Sequence, residues 1–185
     1  DVSMLDCQIA ILENAIARYL SKNEIPGPMG SRHPSIAPFE AFKTKDSYII
    51  IAAGNDKLFT KLCDVLKIPE ASNDERFNSN SLRCENMDQL KEIFEKQLNS
   101  KTTNEWVKEM EALKIPCGPI FNIKQAVENP QVQERNMIVK SYHKIIGEFK
   151  SAGNPIKMST YKDENTRGDI PDLDEHREKI IKEFS

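Results

Sequence analysis

The chain has 185 residues, and a hydrophobic fraction of 38% is enough for a core in one large domain or one and a half small ones. The formal net charge is -3 and basic residues are interspersed with acidic ones, so no basic strip is available for nucleic acid. The sequence has no apolar run long enough to cross a bilayer and no signal-peptide pattern at its start. We therefore expect a cytosolic or organelle-matrix protein without nucleic-acid or membrane partners.

The cysteines give no sign of a metal or redox centre. The four residues are widely spaced and form no C-x-x-C pair: Cys7, Cys63, Cys84 and Cys117. Zinc cages and redox motifs need closely spaced pairs. We expect no metal site, and free thiols packed as small apolar groups.

The chain opens with helical periodicity. In residues 2–21 apolar side chains recur at steps of three and four, which predicts one amphipathic helix whose stripe is covered by a partner. The stripe consists of Leu5, Ile9, Leu12, Ile16 and Tyr19. Residues 22–38 contain two glycines and four prolines, and we interpret them as an ordered loop or linker.

A β-hairpin is predicted after this loop. Two short apolar runs in residues 39–54 are joined by the polar turn Thr-Lys-Asp-Ser. Asn55 or Asp56 can cap the next helix, over residues 56–67, where Phe59, Leu62, Cys63 and Leu66 keep helical spacing.

Two further helices and an edge strand are predicted next. Asn86 with Gln89 resembles a capping box, and Thr102 with Glu105 is a clearer one. The proline-rich residues 115–120 suit an edge strand.

The C-terminal third contains shorter elements. We predict a helix over residues 123–128 and another opened by Asn129-Pro130. A second hairpin is expected in residues 137–149, and Asp174 is expected to cap a closing helix with a buried apolar side. The order of helix, hairpin, helices, strands and helix predicts the α+β fold class.

The loop before the first hairpin holds the candidate functional residues. Of the three histidines only His33 lies in a Gly- and Pro-rich loop, where side chains are free to contact a ligand. Arg32 can bind a carboxylate or phosphate through its planar guanidinium, and Gly30 allows close approach to the backbone. The alternatives are a structural histidine and a solvated arginine. The sequence contains none of the common catalytic motifs, so the residues alone indicate a fold but no reaction.

An ordered series of short motifs runs along the chain. In order they are DVSMLD, GSRHPSIAPFEAF, TKDSYIIIAAGNDKLF, the stretch with Arg76-Phe77 and Arg83 to Asn86, KTTNEW, IPCGPI, NPQVQERNM and NPIKMS. The series resembles the C-terminal portion of the family III CoA-transferases, which include carnitine, formyl and succinyl CoA-transferases and the α-methylacyl-CoA racemases.

The resemblance implies a domain organisation. Residues 1–37 correspond to a helix and linker of a large Rossmann-like domain, residues 38–139 to a small α+β domain, and residues 140–185 to a return segment with a C-terminal helix. It also implies a homodimer of interlocked chains.

The resemblance further implies a reaction in which CoA moves from an acyl-CoA to a carboxylic acid. An aspartate attacks the thioester and forms a mixed anhydride. Neither Asp1 nor Asp6 matches this aspartate, so the nucleophile is expected upstream and the chain alone is expected to be inactive. CoA is a substrate and no covalently bound cofactor is implied. The residues that match the family's substrate loop are Gly30, Ser31, Arg32 and His33.

Substrate and reaction type are left with alternatives. The loop spelling GSRHP lacks the glycine run of formyl-CoA transferases, which argues against a formyl or oxalyl specificity. A racemase that moves an α-proton with paired acid and base groups is one alternative. A non-catalytic module that folds and dimerises is the other.

Overall fold

The computed structural model describes residues 1–185, which form two compact units, residues 1–120 and residues 121–185. Helices accompany a three-stranded and a two-stranded antiparallel sheet. The α+β class is therefore confirmed. The domain bounds expected at residues 37 and 139 stay a prediction.

Two short helices open the first unit, α1 (Met4–Ala10) and α2 (Glu13–Lys22). The single helix expected over residues 2–21 is wrong, because the Leu12 N–H bonds to the Ile9 carbonyl and tightens the chain into a turn. Neither helix has a buried residue, and Leu5 is 70% exposed. The apolar stripe is present but nothing in the chain covers it.

The first sheet has the order β1 (Phe39–Lys43), β2 (Tyr48–Ala52) and β3 (Cys117–Pro119). The predicted hairpin is confirmed, with a register that runs from Phe39 opposite Ala52 to Lys43 opposite Tyr48. The strand β3 lies at the edge, as its prolines predicted.

Four α-helices and one short 3-10 helix (Pro69–Asn73) complete the first unit. The α-helices are α3 (Asp56–Val65), α4 (Asn80–Glu85), α5 (Met87–Leu98) and α6 (Thr103–Ala112). The Asn55 side chain caps α3 by accepting a bond from the Leu58 N–H at 2.9 Å. These helices and the sheet bury one apolar core. Its fully enclosed members include Phe42, Ile49, Ile51, Phe59, Leu62, Phe77, Leu90, Phe94, Leu98 and Met110.

The two predicted capping boxes have different outcomes. Thr102 and Glu105 form a complete box at the start of α6. The box expected at Asn86 and Gln89 is wrong, because the Asn86 amide donates to the Leu82 carbonyl at the end of α4 instead of capping α5. Asn86 lies between the two helices and therefore bonds to the C-terminal end of α4, not to the N-terminal end of α5.

The turn of the hairpin is bonded to the start of α6. Asp46 Oδ1 accepts from the Thr103 N–H at 2.8 Å, and the Thr44 and Thr103 hydroxyls share a buried bond of 2.7 Å. The bond from the Thr103 backbone is the main reason that the pKa of Asp46 lies below its usual value. These bonds fix α6 against the end of the sheet.

The second unit contains α7 (Ile123–Glu128), α8 (Pro130–Glu134), β4 (Ile138–His143), β5 (Gly147–Ala152) and α9 (Arg177–Phe184). The second hairpin is confirmed, although β5 begins later than expected, at Gly147, whose φ of +75° suits glycine. The cap expected at Asp174 is wrong. His176 occupies the position before α9, and the Asp174 carboxylate accepts from Arg177 Nε rather than from a backbone N–H of the helix.

The apolar side of α9 is also exposed rather than buried, with Phe184 at 81%. All four cysteines are free. Burial raises the pKa of the Cys63 thiol to about 12, whereas Cys7 is exposed and does not pack as an apolar group. None of the helices combines the length and hydropathy of a transmembrane span.

Candidate functional site

The loop between α2 and β1 is hydrogen-bonded to β1, which is an edge strand of the first sheet. The His33 N–H donates to the Phe39 carbonyl at 2.9 Å, and the Ser31 hydroxyl oxygen accepts from the Ala41 N–H at 3.0 Å. These bonds satisfy backbone groups that an edge strand otherwise leaves to solvent. Gly30 has a φ of +64°, which gives the loop its bend.

An open cleft of about 490 Å³ lies beside this loop. It is lined by residues 28–32, by Glu40 of β1 and by Lys91 of α5. Three of the four sequence-predicted site residues, Gly30, Ser31 and Arg32, therefore meet at one cleft. His33 does not line it.

Glu40 is the buried anion of this cleft and is only 3% exposed. Its Oε1 accepts from Arg32 Nε at 3.0 Å, and its Oε2 accepts from Lys91 Nζ at 2.5 Å. Lys91 Nζ also donates to the Ala41 carbonyl at 3.0 Å. A buried carboxylate needs such partners, since an unpaired buried charge is strongly destabilising.

Arg32 has a second carboxylate partner that is exposed to solvent. Its Nη2 donates to Asp88 Oδ1 at 2.6 Å, and the Asp88 side chain is 88% exposed. The bond from Arg32 lowers the pKa of Asp88, and the same bond is the main reason that the pKa of Arg32 is raised. The Arg32 guanidinium is therefore bonded through Nε to the buried carboxylate of Glu40 and through Nη2 to the exposed carboxylate of Asp88.

His33 is engaged by its neighbours. Its ring stacks on Phe39 with centroids 5.2 Å apart and an interplanar angle of 9°. Its Nδ1 accepts from the Ser35 N–H at 3.2 Å. His33 lines a smaller cavity of about 120 Å³ together with Arg32.

Glu40, Asp88 and Lys91 were missed by sequence reasoning. The position of Glu40 in the strand could have identified it. Side chains alternate along a strand, so Glu40 lies on the same face as Phe42, which is in the core. A carboxylate on the buried face of a strand predicts that a basic side chain from another part of the chain is paired with it. Asp88 and Lys91 lie three residues apart on α5 and so share one face of that helix.

Arg83 holds the end of the loop from inside the core. Its side chain is fully buried and donates to the carbonyls of Ala37, Phe77 and Gly54 at 2.8, 2.9 and 3.0 Å, and to Asp56 Oδ1 at 2.8 Å. The guanidinium also lies 4.5 Å from the Phe59 ring centroid. Arg83 therefore positions the loop and has no access to a ligand.

The groups at the cleft can bind an anion but hold no metal. No set of three or more His, Cys, Asp or Glu side chains is arranged for a metal ion. Arginine and lysine beside a cavity are suited to carboxylates and phosphates. The cleft therefore contains two side chains of the type that bind acidic small molecules, Arg32 and Lys91, both of which are bonded to carboxylates of the chain.

The family model that describes CoA-transferase family III matches residues 1–177. The chain belongs to this family. It is 38% identical over its whole length to the acetyl-CoA:oxalate CoA-transferase of Acetobacter aceti and covers 46% of that protein. It is 32% identical over 99% of its length to the human succinyl-CoA:glutarate CoA-transferase and covers 42% of it.

A solved structure shows the same fold. The CAIB/BAIF family protein from Brucella suis superposes with a TM-score of 0.75 at 31% identity, over 97% of this chain and 46% of that one. The chain thus spans a little under half the length of the family III proteins that it matches. The resemblance drawn from the sequence motifs is confirmed.

Proposed function

We propose that this chain is the C-terminal portion of an enzyme that moves CoA from an acyl-CoA to a carboxylic acid. The observation that carries the proposal is the alignment of the whole chain, at 38% identity, with a protein named as a CoA-transferase. The presence of Arg32 and Lys91 at the cleft supports it, since both the acceptor acid and CoA are anions.

The acceptor in this proposal is a short dicarboxylic acid. The names of the relatives include oxalate, glutarate and mesaconate, each of which has two carboxylates. The expectation against an oxalyl specificity depended on the loop spelling GSRHP alone, and the name of the Acetobacter relative runs counter to it. We therefore keep oxalate among the acids to be tested.

The proposed chemistry divides between this chain and an aspartate outside it. A carboxylate oxygen of that aspartate attacks the thioester carbonyl carbon, the C–S bond breaks, and CoA leaves as the thiolate. The CoA thiolate then attacks the aspartyl carbonyl of the acyl-aspartyl anhydride, which releases the donor acid and leaves an aspartyl-CoA thioester. The acceptor carboxylate displaces CoA from this thioester to form a second anhydride. The CoA thiolate finally attacks the acceptor carbonyl of that anhydride, which yields the acceptor's CoA thioester and restores the aspartate. Gly30, Ser31, Arg32 and His33 would contribute binding and orientation of substrate.

The racemase alternative gains no support from the cleft. Racemisation at an α-carbon needs acid and base groups that exchange protons with it. The buried carboxylate at the cleft, Glu40, is instead bonded to two cations. The interlocked homodimer and the cytosolic or matrix location remain parts of the proposal.

A CoA-exchange assay tests the proposal. The complete enzyme carrying this chain is incubated with acetyl-CoA or succinyl-CoA and with oxalate or glutarate, and the CoA ester of the acceptor is measured by chromatography. We expect that ester from the complete enzyme and none from the 185-residue chain. Turnover by the isolated chain contradicts an external nucleophile. Loss of optical purity of a 2-methylacyl-CoA without an acceptor acid would instead identify a racemase.

A further inference from the structure

The two carboxylates bonded to Arg32 differ sharply in burial. The Glu40 side chain is 4% exposed and holds the Nε edge, whereas Asp88 is 88% exposed and bonds only to Nη2. A buried ion pair keeps the guanidinium in place because separation would leave a charge in the core. An exposed ion pair contributes little, because water and salt screen it. The Asp88 bond is therefore the exchangeable one.

The charge balance of the cleft favours such an exchange. Arg32 and Lys91 are two cations, and Glu40 is the one buried carboxylate that they share. When Asp88 leaves, the remaining cluster has one net positive charge at the wall of a cleft of about 490 Å³. A carboxylate from solution restores neutrality and fits the planar guanidinium as Asp88 does.

Resting on the proposed function, we propose that Arg32 binds the non-reacting carboxylate of a dicarboxylic acceptor acid, and that Asp88 occupies this position when the acid is absent. Glu40 and Lys91 act as positioning residues, since Glu40 fixes the guanidinium and Lys91 fixes Glu40. The second carboxylate of the acid stays free to take part in the CoA exchange.

The experiment compares two acids that differ by one carboxylate. With the complete enzyme, kcat/KM is measured for glutarate and for valerate, which lacks the second carboxylate. In the wild type we expect a strong preference for glutarate. With acetyl-CoA as the donor, which has no second carboxylate of its own, Arg32→Gln should reduce this preference about tenfold or more, because a charge-assisted bond to the acid is lost. Arg32→Lys, which keeps the charge but not the planar geometry, should retain part of the preference.

Asp88→Asn tests the exchange itself and leaves the core untouched. Removal of the competing carboxylate should lower the KM for glutarate roughly two- to fivefold, and leave that for the acyl-CoA unchanged. The matched control is Asp74→Asn, since Asp74 makes a similar 2.7 Å ion pair with Arg76, an arginine that, unlike Arg32, does not line the cleft. This control should change neither KM.

The possible results separate the two proposals. A wild-type enzyme that transfers CoA, but whose Arg32→Gln variant loses glutarate and valerate activity alike, assigns Arg32 a structural role and overturns the inference. An Asp88→Asn variant with an unchanged KM for glutarate overturns the role of Asp88. A wild-type enzyme that transfers CoA to no acid overturns the proposed function and with it this assignment.

Discussion

Arg83 and Arg32 both lie in the first compact unit and both donate to a carboxylate, but their surroundings differ. Arg83 is fully buried and gives three of its four side-chain bonds to backbone carbonyls. The side chain of Arg32 is 30% exposed, and its side-chain bonds go to two carboxylates, one buried and one exposed.

The difference shows how the partners of an arginine indicate its role. Backbone carbonyls cannot leave, so an arginine bonded to them links chain segments and is unavailable to a ligand. An exposed carboxylate can be replaced by another carboxylate at little cost. The buried Arg83 therefore supports the loop, and the partly exposed Arg32 is suited to contact substrate.

The largest effect is expected from Arg83→Met. The substitution keeps an unbranched side chain but leaves the Ala37, Phe77 and Gly54 carbonyls without their donor. We expect the free energy of unfolding, measured by urea denaturation of the 185-residue chain, to fall by about 3–5 kcal/mol. Arg177→Met is the control, because the Arg177 side chain is 65% exposed and is paired with the exposed Asp174, and it should change stability little. If Arg83→Met lowered the free energy of unfolding as little as the control does, the three carbonyls would have found other donors.

Glu40→Gln should have the next largest effect. The amide keeps the shape of the side chain but removes the charge that Arg32 and Lys91 share. We expect a loss of about 1–3 kcal/mol in urea denaturation, less than for Arg83, because both cations are about 30% exposed and can be rehydrated. Combining Glu40→Gln with Lys91→Met should then cost less than the sum of the single changes. Strict additivity would contradict the coupling.

Local patterns in the sequence predicted the elements around the site but not the site's full set of residues. The hairpin, the Asn55 cap and the edge strand depend on neighbouring residues, so spacing and turn chemistry were sufficient. Arg32 and Asp88 are 56 positions apart, and Glu40 and Lys91 are 51 apart. Such pairs depend on how α5 packs against β1, which no local pattern specifies.

Apolar periodicity also could not show which faces are covered. The stripe on α1 and α2 and the apolar side of α9 were predicted from spacing, and both are exposed. A pattern identifies an apolar face, but burial needs a partner surface. Arg83 was missed for the converse reason, because a lone arginine on a short helix is most simply interpreted as a solvated charge.

Acid should weaken the ion pair between Arg32 and Asp88, because a carboxylate can be protonated. It should leave the bonds from Arg83 to backbone carbonyls unchanged, since carbonyls do not titrate. The bond to Arg32 lowers the pKa of Asp88, and Arg76 lowers that of Asp74 to about 2. Because these pKa values are lower in the folded state, both groups stabilise the fold above the ordinary value of 3.8 and lose this contribution as the pH falls through the folded value.

The melting temperature should therefore decrease as the pH falls from about 4 to about 2. In Asp74→Asn and Asp88→Asn, recorded by circular dichroism over the same range, the decrease should be shallower. A variant that melts with the same pH dependence as the wild type would show that its carboxylate contributes nothing to the effect.

The smallest effect is expected from Asp88→Asn at neutral pH, even though this residue bonds to the same guanidinium as Glu40. Because the Asp88 side chain is exposed, its ion pair exchanges for bonds with water, and the melting temperature should fall only slightly, by less than in Glu40→Gln. A shift as large as that of Glu40→Gln would mean that Asp88 is a fixed part of the fold. A melting temperature that falls only slightly, together with a lowered KM for glutarate, would assign the two carboxylates bonded to Arg32 separate roles: Glu40 holds the guanidinium in place, and Asp88 is replaced by the substrate.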